Sequence, residues 1–272
     1  MKEYDKYLKL LKEKYPTKQS VYRELINLNA IMNLPKGTEH FMSDLHGEYD
    51  AFYHIINNCS GVIREKVAML YGDELTVYEQ QELCTLIYYP REKLSILMDE
   101  NKVNDEWYRN VLNQLIQIAK LLSSKYTRSK VRKAMPVDFV YIIDELIHAQ
   151  KDEDDNRSVY HRQIMETILS LHNGDEFLVA LTDLIKRLAV DHLHILGDIY
   201  DRGAHADKIL DLLMEHHSVD IQWGNHDILW MGAFCGNPVC MALVVRNNIK
   251  YKTMSIPVSY THLRAHETGR NL

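Results

Sequence analysis

Apolar side chains recur every three to four positions over most of this chain, and that spacing predicts helices. Residues 1–32 show the pattern first, with a break at Pro16, and residues 61–189 repeat it almost without interruption. The clearest stripe is formed by Val111, Leu112, Leu115, Ile116 and Ala119. Stripes of this kind are typical of helix faces that pack into a core. We therefore expect the middle of the chain to form a helical unit.

Short apolar runs predict β-strands at residues 39–43, 192–196 and 219–223. Residues 206–217 carry a helical pattern between the last two strands. Strand, helix and strand in this order favour an α/β sheet, with the chemistry at the carboxyl ends of its strands. The first predicted strand is separated from the second by the helical region, which we interpret as an insertion of about 130 residues.

The predicted organisation has four parts. They are an N-terminal helix with the first βα unit at 1–60, a helical insertion at 61–190, the rest of the α/β core at 191–250 and a tail at 251–272. We also expect Trp223 and Trp230 to lie in the core.

Composition narrows the class of protein. The 272 residues include 32 Lys and Arg against 38 Asp and Glu, so the net charge is −6, and 46% are hydrophobic. This apolar fraction excludes dominant disorder, and mild acidity without a basic cluster disfavours a nucleic-acid partner. No apolar run approaches the length that a bilayer requires, which disfavours a membrane role. Four cysteines without a CxxC pair favour a reducing, cytoplasmic location.

Polar clusters follow each predicted strand: DLHG at 44–47, GDIYDRG at 197–203 and GNHD at 224–227. Singly, each has a plain structural explanation, such as a helix cap or a turn with a surface Asp–Arg pair. Together, at three strand ends, they favour a metal site that handles phosphate.

Each cluster supplies a different chemical group. Asp44 and His46 can bind one divalent metal, and Asp198 stands at a strand tip where one carboxylate can bridge two ions. Arg202 offers a guanidinium to a phosphate group. Asn225 adds a neutral oxygen ligand, and His226 can serve as a proton donor.

The three motifs together resemble the signature of the calcineurin-like metallophosphoesterases, including their protein serine/threonine phosphatase branch. The long insertion, with SDLHGEYDAF, HILGDIYDRG and DIQWGNHDILWMGA, is similar to the class III fructose-1,6-bisphosphatases of bacteria. The resemblance covers roughly residues 1–250. It implies an α/β metallophosphoesterase core, incomplete in this chain, with a large helical insertion between the first and second metal motifs.

The resemblance also implies a role for each site residue. Asp44 and His46 hold one metal, Asn225 holds the other, and Asp198 bridges them. His226 protonates the leaving group, oriented by Asp201, while Arg202 binds the substrate phosphate. The implied metal is manganese, with two divalent ions expected in the full-length protein.

The implied reaction is hydrolysis of fructose 1,6-bisphosphate to fructose 6-phosphate and phosphate, a gluconeogenic step that makes a small sugar bisphosphate the expected partner. Two alternatives stay open: a phosphoprotein phosphatase of the same superfamily, and a non-catalytic helical fragment. The sequence leaves the oligomeric state undetermined.

The family pattern also requires two further histidines downstream, the last within a Gly-His-x-His motif, and no Gly-His dipeptide occurs here. The resemblance ends after about Tyr251, and we expect the residues from about Ser255 onward not to be native family sequence. His262 and His266 lie in this tail without apolar periodicity, so we do not count them as replacement ligands. The expectation is the front part of a longer enzyme, with negligible activity alone.

Histidine is abundant, with 14 residues against 11 glycines. Only His46 and His226 receive a chemical role. The others, including His192 and His194 on the strand before Asp198, are interpreted as ordinary surface or buried imidazoles.

Overall fold

The computed structural model describes residues 2–149 and 155–254. Within these residues it contains one parallel sheet of three strands, in the order β1 (Glu39–Met42), β2 (His192–Ile195) and β3 (Val219–Ile221). Each strand begins where the sequence pattern predicts. Each ends one or two residues early, because the chain then enters a loop.

The described residues also form fourteen α-helices, most of them between the first two strands. In chain order they are α1 Lys2–Lys14, α2 Lys18–Ile31, α3 Tyr49–Asn58, α4 Val62–Tyr71, α5 Val77–Tyr88, α6 Pro90–Asp99, α7 Asp105–Ser123, α8 Arg128–Ala134, α9 Val140–His148, α10 Asp155–Ser170, α11 Gly174–Ala189, α12 Ala206–Glu215, α13 Asn225–Phe234 and α14 Pro238–Tyr251. A mostly helical chain with a small parallel sheet agrees with the predicted α/β class. The expectation for residues 255–272 lies outside the described residues.

The helical region between residues 59 and 190 encloses one large apolar core. Helices α7 and α11 pack against each other at its centre. Its fully buried side chains include Ile63, Ile87, Leu112, Leu115, Ile118, Phe177 and Leu181. The stripe predicted on α7 is therefore confirmed as a core-facing surface.

Polar residues at the helix starts explain where these helices begin. The Asn104 side chain accepts the Trp107 N–H at 2.8 Å and caps α7. At the start of α5, the Glu79 carboxylate accepts the Thr76 N–H at 2.8 Å, completing a capping box. Local sequence thus fixes the ends, while the apolar stripes fix the packing.

The sheet buries one face against a second, smaller core. Leu193 and Ile195 on β2 are fully buried there, against α3 and α12. Side chains alternate along a strand, so His192 and His194 point to the opposite face. That face lacks an apolar cover among the described residues, and Phe41 is 62% exposed on it.

The helices at both ends of the described chain carry exposed apolar side chains. Helix α2 buries none of its residues, and α13 and α14 pack mainly on each other. Trp223 is 65% exposed, so its expected core position is wrong: β3 ends at Ile221 and leaves the indole in the following loop. Among the described helices, none combines the length and apolar character needed to cross a membrane.

Candidate metal centre

The loops that follow β1 and β2 continue the pairing of the sheet. The backbone N–H of His46 donates to the Asp198 carbonyl at 2.8 Å. The next N–H, that of Gly47, donates to the Ile199 carbonyl at 2.7 Å. In return the Gly203 N–H donates to the His46 carbonyl at 2.5 Å. The first two motifs therefore form one backbone-bonded layer at the carboxyl ends of the strands.

Glycines occupy the points where these loops come closest. Gly47, with a φ of +72°, lies directly against the backbone of Gly203, and a Cβ on either residue would collide with the other. Gly197, with a φ of +101°, lies directly against the backbone of Gly224, and a Cβ on Gly224 would collide with Asp198. Close approach of the loops thus requires glycine at all four positions, and at Gly47 and Gly197 the positive φ favours it as well.

Asp227, the last residue of the third motif, ties that motif to the second. Its buried carboxylate accepts the N–H groups of Asp198 at 2.7 Å and Ile199 at 2.9 Å. It also accepts those of Tyr200 at 3.1 Å and Gly224 at 2.9 Å. From the sequence alone, Asp227 has no role beyond its place in the GNHD motif at 224–227. The contacts identify it as the anchor that sets the loop carrying Asp198.

Asp44, His46 and Asp198 converge at the centre of the three loops. Each offers a ligand atom, and these atoms lie within 4.8 Å of one another. All three residues have left-handed backbone, with φ values of 56°, 49° and 54°. Such conformations are unfavourable for residues other than glycine and concentrate at functional sites. Carboxylate oxygens and an imidazole nitrogen form a donor set that suits a divalent metal.

Arg202, Asp201 and His226 form a second group beside the first. An Arg202 guanidinium N–H donates to His46 Nδ1 at 3.1 Å, and Arg202 Nε lies 3.3 Å from Asp201 Oδ2. The other oxygen, Asp201 Oδ1, lies 3.3 Å from His226 Nδ1 and has no hydrogen-bond partner in the described structure. The Asp201 side chain is 7% exposed, against 57% for Arg202. A buried carboxylate thus faces both the imidazole and the accessible guanidinium.

Asn225 is the first residue of α13 and is exposed. In the described parts of the chain, no hydrogen bond joins its side chain to Asp44, His46 or Asp198. The helix is capped by Gly224 rather than by Asn225, so the capping explanation of this residue does not apply. Its neighbour His226 donates its backbone N–H to Asp198 Oδ1 at 3.1 Å, which brings this end of α13 to the site.

Comparison with known proteins decides the family. The sequence profile of the Firmicute fructose-1,6-bisphosphatases matches residues 6–260. This chain belongs to that family. A fructose-1,6-bisphosphatase class 3 of Clostridium beijerinckii is 53% identical over 264 residues, covering 93% of this chain and 40% of the relative.

Other fructose-1,6-bisphosphatases of class 3 match to a similar degree. That of Listeria monocytogenes serotype 4b is 53% identical over 92% of this chain and 38% of its own length. That of Clostridium acetobutylicum is 53% identical over 92% of this chain and 37% of its own length. The chain thus spans about 40% of the length of the curated relatives it matches. No solved structure matches it.

A further cluster in this family member went unpredicted. His192, His194 and Asp220 lie together on the face of the sheet opposite the small core, with ligand atoms within 4.8 Å of one another. Hydrogen bonds from the two histidines lower the pKa of the Asp220 carboxyl, and the bond from His194 has the larger effect. The sequence shows two histidines on the same face of a predicted strand, but it does not show the parallel register that brings Asp220 beside them.

Proposed function

We propose that this family member carries a metal-dependent phosphatase centre whose reaction is hydrolysis of fructose 1,6-bisphosphate to fructose 6-phosphate and phosphate. The observation that carries the proposal is the convergence of Asp44, His46 and Asp198, with the Arg202 guanidinium 3.1 Å from His46. The relatives' name, fructose-1,6-bisphosphatase class 3, supports the sugar bisphosphate as the substrate. A cytoplasmic location is part of the proposal, supported by four free cysteines.

We assign the sheet and its loops to a calcineurin-like core, with residues 61–190 as an insertion into it. The separation of the two apolar cores supports this division: the large core draws on residues 59–190 and the small one on the sheet, α3 and α12. All three motifs belong to the smaller unit, so the helical insertion supplies no metal ligand in this proposal.

The residues at the centre fit two divalent ions, for which manganese is our choice. Asp44 and His46 would hold one ion and Asn225 the other, with Asp198 shared. Oxygen-rich sites with imidazole suit manganese. Bound ions of this kind polarise a phosphoryl group and lower the pKa of water.

Arg202 is the proposed ligand of the substrate phosphate. Its side chain is 57% exposed, and its planar guanidinium can donate two parallel hydrogen bonds to phosphate oxygens. Asp201 Oδ2, 3.3 Å from Arg202 Nε, restrains the guanidinium from the buried side. The charged fork therefore faces the open side of the site.

His226 is the proposed proton donor. Water attacks phosphorus, the bond from phosphorus to the sugar oxygen breaks, and the departing alkoxide takes a proton from the imidazole. Asp201 Oδ1, 3.3 Å from His226 Nδ1, favours the ring orientation that holds Nε2 toward the substrate. Asp201 is a positioning residue in this scheme.

The test joins residues 1–250 of this chain to the part of the Clostridium beijerinckii relative that the chain does not cover. We expect this chimera to release phosphate from fructose 1,6-bisphosphate with manganese, and Asp198→Asn to reduce release to background. Asp211→Asn, an exposed aspartate on α12, is the matched control and should leave the rate unchanged.

Two results would contradict the proposal. One is a folded chimera that hydrolyses a phosphopeptide but not the sugar bisphosphate, and the other is hydrolysis that survives Asp198→Asn. For the 272-residue chain itself we expect negligible turnover, because it contains no Gly-His dipeptide to provide the family's last ligand motif. Manganese-dependent turnover by this chain alone would overturn that expectation.

A further inference from the structure

Three side chains with metal-binding groups share the open face of the sheet. His192 and His194 are two residues apart on β2, so both point away from the small core. In the parallel register His194 lies beside Asp220 on β3, which adds a carboxylate to the same face. These residues are distinct from those assigned to the phosphatase centre, and the inference does not rest on the proposed function.

The separations of their polar atoms match a shared ligand sphere. His194 Nδ1 lies 2.9 Å from Asp220 Oδ1, and His192 Nε2 lies 3.2 Å from Asp220 Oδ2. In a tetrahedral zinc site, metal–nitrogen distances of about 2.05 Å place neighbouring ligand atoms about 3.3 Å apart. The three side chains therefore need only small movements to close around one ion.

The other nitrogen of each ring also faces an oxygen atom. His192 Nδ1 lies 2.6 Å from Ser218 Oγ. His194 Nε2 is buried without a hydrogen-bond partner among the described residues, and Glu39 Oε2 stands 3.8 Å from it. A metal on one imidazole nitrogen puts the proton on the other, which then donates to a nearby oxygen. Ser218 and Glu39 are placed to accept those protons.

The ring of His194 is held in position before any ion binds. Phe41 stacks on it, with ring centroids 4.4 Å apart and an interplanar angle of 12°. The side chains of His192, His194 and Asp220 are 30%, 20% and 56% exposed, so an ion can reach them from solvent. Ordered rings with an accessible carboxylate are typical of a preorganised site.

We propose that His192, His194 and Asp220 bind one zinc ion that links β2 to β3. Two imidazoles and a carboxylate are a donor set that zinc accepts, with water in the fourth position. The oxygen-rich group at Asp44 and Asp198 suits manganese better, so the two candidate groups differ in the metal that they favour. The zinc site lies on the strand that leads into Asp198.

The test uses the 272-residue chain with Asp44→Asn and Asp198→Asn, which removes the other candidate centre. We expect calorimetry to show one zinc ion per chain, and Co²⁺ to give the visible spectrum of a four-coordinate ion. His194→Ala and His192→Ala should each lower zinc affinity by more than the roughly 10–100-fold typical of changes outside the ligand set, and Glu39→Gln should fall within that range.

The matched control is His148→Gln. His148 on α9 also faces a carboxylate, with Nδ1 3.3 Å from Asp144 Oδ1, but belongs to no group of three candidate metal ligands among the described residues. We expect no change in zinc affinity from this variant. Circular dichroism without metal establishes that each variant is folded. The proposal is overturned if the background chain binds no zinc, or if folded His194→Ala binds it as tightly as the background.

Discussion

In the helical region at residues 59–190, helices surround one apolar core, whereas the sheet buries apolar side chains on only one of its two faces. In the helical region, Leu112 and Leu181 have no exposed surface and lie within a core to which most of its helices contribute. On β2, Leu193 is equally buried, but its neighbour His194 points to the open side. Both regions thus bury leucine side chains completely, but one face of the sheet stays open.

Left-handed backbone at residues other than glycine occurs in both regions, and in the helical region Cys59, Ser60, Asn101 and His172 adopt it. Asp44, His46 and Asp198, all on loops of the sheet, have left-handed backbone. Strained conformations persist when surrounding contacts determine them, and here backbone pairing and the Asp227 carboxylate do so. The molecule's apolar stabilisation is thus concentrated in the helical region and its candidate chemistry in the loops of the sheet.

The largest effect on stability is expected in the helical region. Leu112→Ala on α7 removes a fully buried side chain and should lower the free energy of unfolding by about 2–5 kcal/mol, measured in urea. Manganese affinity of the folded fraction should not change. Leu10→Ala, at a 62% exposed position, is the control and should shift stability by less than about 0.5 kcal/mol. A loss of manganese affinity in folded Leu112→Ala would show that the site depends on the packing of the helical region.

A smaller loss of stability, with a larger effect on the site, is expected from Asp227→Asn. An amide oxygen cannot accept all four N–H groups, and leaving buried donors unpaired costs about 1–3 kcal/mol. Amide hydrogen exchange should accelerate at residues 198–200 and remain slow in α7. Asp211→Asn on α12 should leave both regions as they are, and unchanged exchange at 198–200 in Asp227→Asn would refute the anchoring role.

Short-range patterns were sufficient to predict much of this fold. The stripe on α7, the starts of all three strands and the position of the long helical region follow from periodicity and breakers such as Pro16. The three motifs were predicted to meet because parallel strands present their carboxyl ends at one edge, and Asp44, His46 and Asp198 do converge. Their roles as metal ligands stay predictions.

Short-range patterns could not predict the contacts between segments that are distant in the sequence. Asp227 binds N–H groups 27 to 29 residues earlier in the chain, and nothing in its neighbours reveals that reach. Likewise Asp220 joins His194 through the register of β2 with β3. Trp223 was misplaced because its large apolar ring suggested burial, while the end of β3 decides its exposure. For all three residues, the tertiary structure rather than the residue type determines where the side chain lies.

Two glycines that follow β3 separate the effect of close contact from the effect of backbone strain. Gly224→Ala would push a Cβ against the Asp198 carboxylate, so the loop must shift, at about 1–3 kcal/mol. We expect manganese affinity to fall. Gly236→Ala is the matched control: its φ is +83°, but no atom lies within 4 Å of an added Cβ. It should cost about 1 kcal/mol of backbone strain and leave affinity unchanged. Equal losses of manganese affinity in the two variants would show that strain, not contact with Asp198, governs the site.

An effect that is confined to acid pH, and absent at neutral pH, concerns the junction of the two regions, where His216 lies beside α11. Burial, assisted by the charges of His217 and then His192 and Arg187, lowers the pKa of His216 from 6.5 to about 4. The unfolded chain binds a proton there first, so this contribution to stability is complete above pH 6.5 and is lost as the pH falls toward 4. His216→Asn should flatten the fall in unfolding free energy over that window in urea titrations. His217→Asn should flatten it as well, because burial also lowers the pKa of that imidazole. If His216→Asn leaves the dependence of the unfolding free energy on pH unchanged, the pH sensitivity does not arise at this histidine.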